Sequence, residues 1–199
     1  MLKKLTLIML SPFLVFAATA PSQLSAQHAH PSPYAGQQLR DIKSLSAEDI
    51  AELQRGGGWG MARAAELNGM PGPAHLLELK DEIELSTDQL ERITALYQDM
   101  QTKAVEEGEK FIAHERELDR RFRDATINDD DLRAILAVIA ESRSRLRYIH
   151  LSTHLKTPAI LSRKQIDTYN TLRGYGASPC QRIPEGHDPV MWRRHNNCD

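Results

Sequence analysis

The sequence predicts an all-α fold, a long antiparallel helical hairpin with short flanking helices, and three observations carry that prediction. Eleven glycines and ten prolines fall mostly near the two ends of the 199-residue chain, leaving a centre rich in helix formers. Apolar positions recur at alternating steps of three and four over two long runs, Leu90 to Leu118 and Leu132 to Thr153. The runs are joined by the polar stretch Thr126-Ile127-Asn128-Asp129, whose side chains suit a turn and a helix cap.

In chain order, residues 1–26 form a segment of their own. Lys3 and Lys4 precede the apolar run LTLIMLSPFLVFAATA, which is too short for a stable membrane span and leads to the small residue Ala26. This is the pattern of a cleaved Sec-type signal peptide, the alternative being an uncleaved anchor. It directs the rest of the chain to the periplasm. Residues 27–44 hold three turn or breaker residues and little periodicity, and are expected to be a flexible arm. Residues 45–69 form a short helical, glycine-rich segment. Ser46 is placed as an N-cap with Glu48 and Asp49 in the first turn, Gly56, Gly57 and Gly58 stop that helix, and a second short piece ends at Asn68-Gly69.

The hairpin domain spans residues 70–175. After Pro71 and Pro73 comes a short helix, and Ser86 then caps a helix from Thr87 to about Arg123. Its seam is Leu90, Ile93, Tyr97, Met100, Ala104, Glu107, Phe111, His114 and Leu118. At about 1.5 Å per residue this helix is on the order of 55 Å long and needs a partner alongside. The partner carries Leu132, Ile135, Ile139, Ser142, Leu146, Ile149 and Thr153, and Pro158 ends it. Folding the two seams around the turn sets Leu118 near Ile135, Met100 near Thr153, and Glu107 opposite Arg145. A last helix runs from Ser162 to Leu172. Residues 176–199 are expected to be an irregular tail holding both cysteines, Cys180 and Cys198. In an oxidising compartment the two read as a disulfide, whose loop of about 18 residues is worth roughly 3 kcal/mol; thiolate metal ligands are the other reading. A hairpin of this kind leaves part of its apolar stripe uncovered, which implies a dimer or a client.

Charge narrows the function classes. With 25 Lys and Arg against 27 Asp and Glu, the chain lacks the concentrated basic surface that nucleic-acid binding requires. HExxH, GxSxG, a P-loop and CxxCH are all absent, and the carboxylates lie on helices among arginines, as on a solvated face, so no enzyme is expected. Arg116, Arg120, Arg121 and Arg123 gather near the hairpin turn, either as a helix end complementing its dipole or as a patch that attracts acidic clients.

Two short motifs carry a family resemblance. Leu85-Ser86-Thr87-Asp88-Gln89 precedes the first long helix and Leu161-Ser162-Arg163-Lys164-Gln165 follows the second. Each resembles the LTxxQ signature with Ser in place of Thr. Two copies flanking a helical hairpin in an exported chain resemble the periplasmic Spy/CpxP family and its ZraP- and CnrX-type metal-resistance relatives. The resemblance implies a hooked or cradle-like dimer without a catalytic centre. Spy-like members bind unfolded polypeptide, CpxP-like members modulate an envelope stress kinase, and ZraP- and CnrX-type members bind transition metals.

In the metal-binding branch the second long helix carries a His-x-x-x-Met pair, and His150 and His154 stand at the matching place here. Spacing of four puts both imidazoles on one helical face, a chelating arrangement for Zn, Ni or Cu. The hairpin register brings Met100 near them, and His75 is able to fold back to the same end. The alternative is that both histidines are solvated at the hairpin rim and that Met100 is core. His114 is read as a packed seam residue, while His28, His30, His187, His195 and Met191 are loose metal donors at most. The chain therefore reads as a non-enzymatic periplasmic stress protein, with no required cofactor, that binds unfolded client or a signalling partner. Its alternative is a heavy-metal sensor.

Overall fold

The computed structural model describes residues 32–175, 183–196 and 198. The proposed signal peptide and Cys180 lie outside the described residues. The chain divides into two units, residues 1–35 and 36–199. Of the first, the described part is a single turn closed by the Ala35 N–H on the Ser32 carbonyl. The second is all helical among the described residues, and no helix there is long and apolar enough to cross a membrane.

Two long helices dominate it. Helix α4 (Thr87–Arg123) and helix α5 (Asp129–His154) pack side by side as an antiparallel hairpin. Short helices α1 (Ala47–Gln54), α2 (Arg63–Glu66) and α3 (Pro73–Glu78) precede the hairpin, and α6 (Arg163–Leu172) follows it. Helix α7 (Pro189–His195), where only an irregular tail was expected, is started by the Asp188 carboxylate, which accepts from the N–H groups of Val190 and Met191, with Pro189 fitting the first turn.

The two LTxxQ-type motifs are helix starts, and each is a complete capping box. Ser86 Oγ accepts from the Gln89 N–H while Gln89 Oε1 accepts from the Ser86 N–H, and Ser162 and Gln165 repeat the arrangement. The two glutamines then face each other. Gln89 Nε2 donates to Gln165 Oε1 and Gln165 Nε2 donates to Gln89 Oε1, each at 2.9 Å. This reciprocal amide pair pins the start of α4 to the start of α6. Beside it Leu76, Ile83, Ile93 and Tyr169 form a small core flanked by Leu85 and Leu161.

The hairpin seam follows the expected positions, with Ile93, Met100, Ala104, Glu107 and Phe111 of α4 and Ile135, Ile139, Ser142, Leu146 and Thr153 of α5 buried. Its register differs by about one helical turn. Glu107 accepts from Ser142 Oγ at 2.6 Å rather than meeting Arg145, which pairs along the surface with Glu141. The small hydroxyl satisfies a buried carboxylate without a second buried charge, whose desolvation would offset the attraction.

The apolar stripe beside the seam is covered by the chain's own N-terminal segment. Ile42, Leu45, Leu53 and Met61 join Phe111, Ile112, Ile135, Ile139 and Leu146 in the main core. Residues 41–44 are also tied to α4 by polar contacts. The Lys43 N–H donates to Asp119, Ser44 Oγ donates to Glu115, and Asp41 pairs with Arg116. Helix α1 crosses α4 at Gly108, where a β-carbon would lie 2.7 Å from the Leu53 carbonyl oxygen. Glycine in mid-helix costs roughly 0.5–1 kcal/mol, and here it permits that close crossing.

Candidate functional site: a cavity beneath the glycine-rich loop

Where the N-terminal segment turns back over the hairpin it leaves a cavity of about 450 Å³. The loop 56–60, α2 and the start of α3 form one side, and α4 and α5 form the other. Trp59 holds the loop in place. Its indole N–H donates to Asp49 at 2.8 Å, its backbone N–H donates to Glu52 at 2.9 Å, and its ring lies 5.5 Å from Phe111 and beneath the Arg143 guanidinium. These contacts offset its left-handed backbone, φ 42°, an uncommon conformation for a bulky residue. The indole bond is also the largest cause holding the Asp49 carboxyl below its ordinary range.

The structure places His75, Met100, His150 and His154 around this one cavity. His150 and His154 are each 4% exposed. Among the described residues His150 has no hydrogen-bond partner, and burial, aided by neighbouring His154 and opposed by Glu52, pulls its pKa below the ordinary imidazole value. The ring is therefore neutral near pH 7. His154 Nδ1 lies 2.9 Å from the Met70 carbonyl oxygen. A carbonyl only accepts, so Nδ1 carries a proton and Nε2 is the nitrogen left for another partner. A backbone carbonyl orienting the second nitrogen in this way is the usual support of a metal-ligating histidine.

Nε2 of His154 faces Gly72. A β-carbon on Gly72 would lie 2.8 Å from His154 Nε2 and 3.4 Å from Glu66 Oε1. A side chain there would collide with the imidazole, so glycine lets the His154 ring pack against the start of α3, with Glu66 nearby. His75 stands beside it, with Nε2 3.5 Å from Glu66 Oε1 and Nδ1 2.7 Å from Glu78 Oε2. The other Glu66 oxygen accepts from the Tyr175 hydroxyl at 3.2 Å and lies 3.7 Å from Arg173. Tyr169, also near Glu66, has its pKa pushed up to about 12, chiefly by burial, and stays a neutral phenol.

This donor set suits a divalent transition metal: two imidazoles, a carboxylate, and the Met100 thioether in the same cavity wall. In the conformation described, no three His, Cys, Asp or Glu side chains among the described residues converge on one ion. His75, engaged by two carboxylates, would have to turn. Glu66 and Gly72 were not singled out in the sequence. The Gly72-Pro73 start of α3 signals only a helix entry there, and Glu66 looks like any solvated helix residue.

Other candidates fall elsewhere. His114 is half-buried on α4, His187 stacks edge-on against Trp192, and Met191 and His195 lie on α7. Cys198 is disulfide-bonded. The arginines at the turn are paired among themselves and their neighbours: Arg120 with Glu117 and Asp124, Arg121 with Glu117 and Asp131, Arg123 with Asp119, and Arg116 with Asp41. The reading as a helix end fits these pairs better than a patch awaiting acidic clients. Compared with known proteins, the chain matches no family model, no curated protein and no solved structure.

Proposed function

We propose that this chain is a non-enzymatic periplasmic stress protein of the kind its two motifs resemble, and that its cavity binds a divalent transition metal such as Zn, Ni or Cu. One observation carries the reading. His154, oriented by the Met70 carbonyl, and the Glu66 carboxylate both flank Gly72, with a second imidazole, His150, in the same cavity wall. His154 and Glu66 would be the first donors, with His75, His150 and Met100 within the same cavity. A bound ion would add a cross-link between α2 and α5, which already pack together. The protein's share is to keep His150 neutral by burial, to fix His154 through Met70, and to hold Glu66 in place through Tyr175 and Arg173. A sensor needs such coupling, because a ligand shifts an equilibrium only by its differential affinity for two states.

A second reading, a surface for unfolded or partner polypeptide on a monomer or homodimer, draws on the outer side of α5. Leu136, Val138 and Tyr148 are exposed there, Tyr148 at 71%. Calorimetric titration of the purified protein with Zn, Ni and Cu separates the two. We expect a stoichiometric site that the double change His150→Ala plus His154→Ala weakens at least a hundredfold. Equal, weak binding by both proteins would remove the metal reading and leave the polypeptide reading first.

A further inference from the structure

A bare ion does not account for the cavity. Its volume of about 450 Å³ lies within the range of small-molecule sites, whereas one water occupies only about 30 Å³. The proposed metal donors His154 and Glu66 are one part of its lining. The rest is walled by Trp59, Tyr97 and Met100, with Arg55 and Arg63 at its edge.

The charges around this space are unequally engaged. Each lining carboxylate already has a protein partner: Glu52 accepts from the Trp59 N–H, Glu78 faces His75, and Glu66 is held by His75, Tyr175 and Arg173. The two guanidiniums do not. Among the described residues neither Arg55 nor Arg63 has an ion pair or a side-chain hydrogen bond, although Arg63 lies over Gly60 with Nε 3.1 Å from the place of its missing β-carbon. Among the described residues no three acidic, imidazole or thiolate groups converge, so His154 and Glu66 leave coordination positions for a ligand. Two uncommitted planar cations beside a site with open coordination positions suit a ligand that carries both the ion and spare carboxylates.

We propose that the cavity takes its metal as a complex with a small polycarboxylate or amino-carboxylate chelator, rather than as the aqueous ion. His154 and Glu66 enter the coordination shell in exchange for water. The chelator's remaining carboxylates meet Arg55 and Arg63, and its carbon skeleton lies against Trp59 and Tyr97. This inference rests on the metal reading and goes further by naming the form in which the ion arrives.

The test is equilibrium dialysis of the full protein with Ni alone, with radiolabelled citrate alone, and with Ni and citrate at one to one. Wild type is compared with Arg55→Gln plus Arg63→Gln and with His154→Gln, and thermal unfolding checks that each variant is folded. We expect wild type to retain citrate only when Ni is present, one citrate per bound Ni. The arginine double variant should lose at least tenfold in affinity for the complex while binding Ni alone within twofold of wild type, and His154→Gln should retain neither. In the mixture of Ni and citrate, Ni retained with no citrate beside it, citrate bound equally well without Ni, or an arginine variant that holds the complex as tightly as wild type would each overturn the chelate inference and leave the metal reading standing. Failure of wild type to bind Ni in any form would overturn both.

Discussion

The two ends of the hairpin carry similar numbers of charged and polar groups but spend them differently. At the turn, Glu117, Asp119, Arg120, Arg121, Arg123, Asp124 and Asp131 pair with one another in contact with solvent. At the other end, His150 and His154 are buried, one without a hydrogen bond and the other with a single nitrogen engaged. Exposed ion pairs satisfy each other and contribute little to stability. Among the described residues the His150 nitrogens have no hydrogen-bond partner, and the residue lines the cavity, where a ligand is able to meet them. Charge density alone therefore does not distinguish a site from a solvated surface, but unmet bonding capacity does.

The sharpest way to break this contrast is at Trp59, which fixes the loop over the cavity. Trp59→Ala removes the ring contact with Phe111 and the bond to Asp49, and should lower unfolding stability by about 3 kcal/mol in urea titration, with metal binding lost in parallel. Next comes pH. The folded pKa of His150 lies below its ordinary 6.5, so as pH falls the unfolded chain takes up the proton first. Metal-free protein should keep its full stability above about pH 6.5 and lose it progressively below, and His150→Gln should flatten that slope.

The turn end should respond in a lower window. Glu117 is held down to about 2 by its hydrogen bonds from Arg120 and then Arg121, so its small contribution is present above the ordinary 4.5 and disappears only as pH falls towards 2. The smallest effect is expected from Arg120→Ala plus Arg121→Ala. Both side chains are exposed and bonded within their own neighbourhood, and urea unfolding and metal titration should each be indistinguishable from wild type. A clear loss of metal affinity in that variant would erase the distinction between the ends.

Much of this fold was legible because helix starts and seams are written locally. The Ser86 and Ser162 caps, the Thr87–Arg123 helix and the buried positions of α5 follow from side-chain chemistry within one turn or from a period of 3.5 residues. What a linear pattern does not encode is which long-range surface a segment meets. Ile42 and Leu45 sit in a stretch without periodicity, yet both are buried, because a single pass across α4 needs only a few apolar contacts and no repeat. The hairpin register failed by a turn for a related reason. A seam of similar residues specifies a face, and the pairing of Glu107 with Ser142 selects the offset. At the site, the i, i+4 histidines were visible as a pair. Glu66 and Gly72 were not, since one is fixed by a hydrogen bond from Tyr175, 109 residues on, and the other acts through the side chain it lacks.

The central claim is that a metal is held in the cavity by His154 and Glu66, and Gly72→Ala tests it by displacing the His154 ring without changing any donor atom. The added methyl would lie 2.5 Å from His154 Cε1, so the imidazole has to move away from the start of α3. Calorimetric titration with Ni should show affinity reduced at least a hundredfold in a variant that still unfolds cooperatively. A Gly72→Ala protein that binds Ni as tightly as wild type would contradict the account.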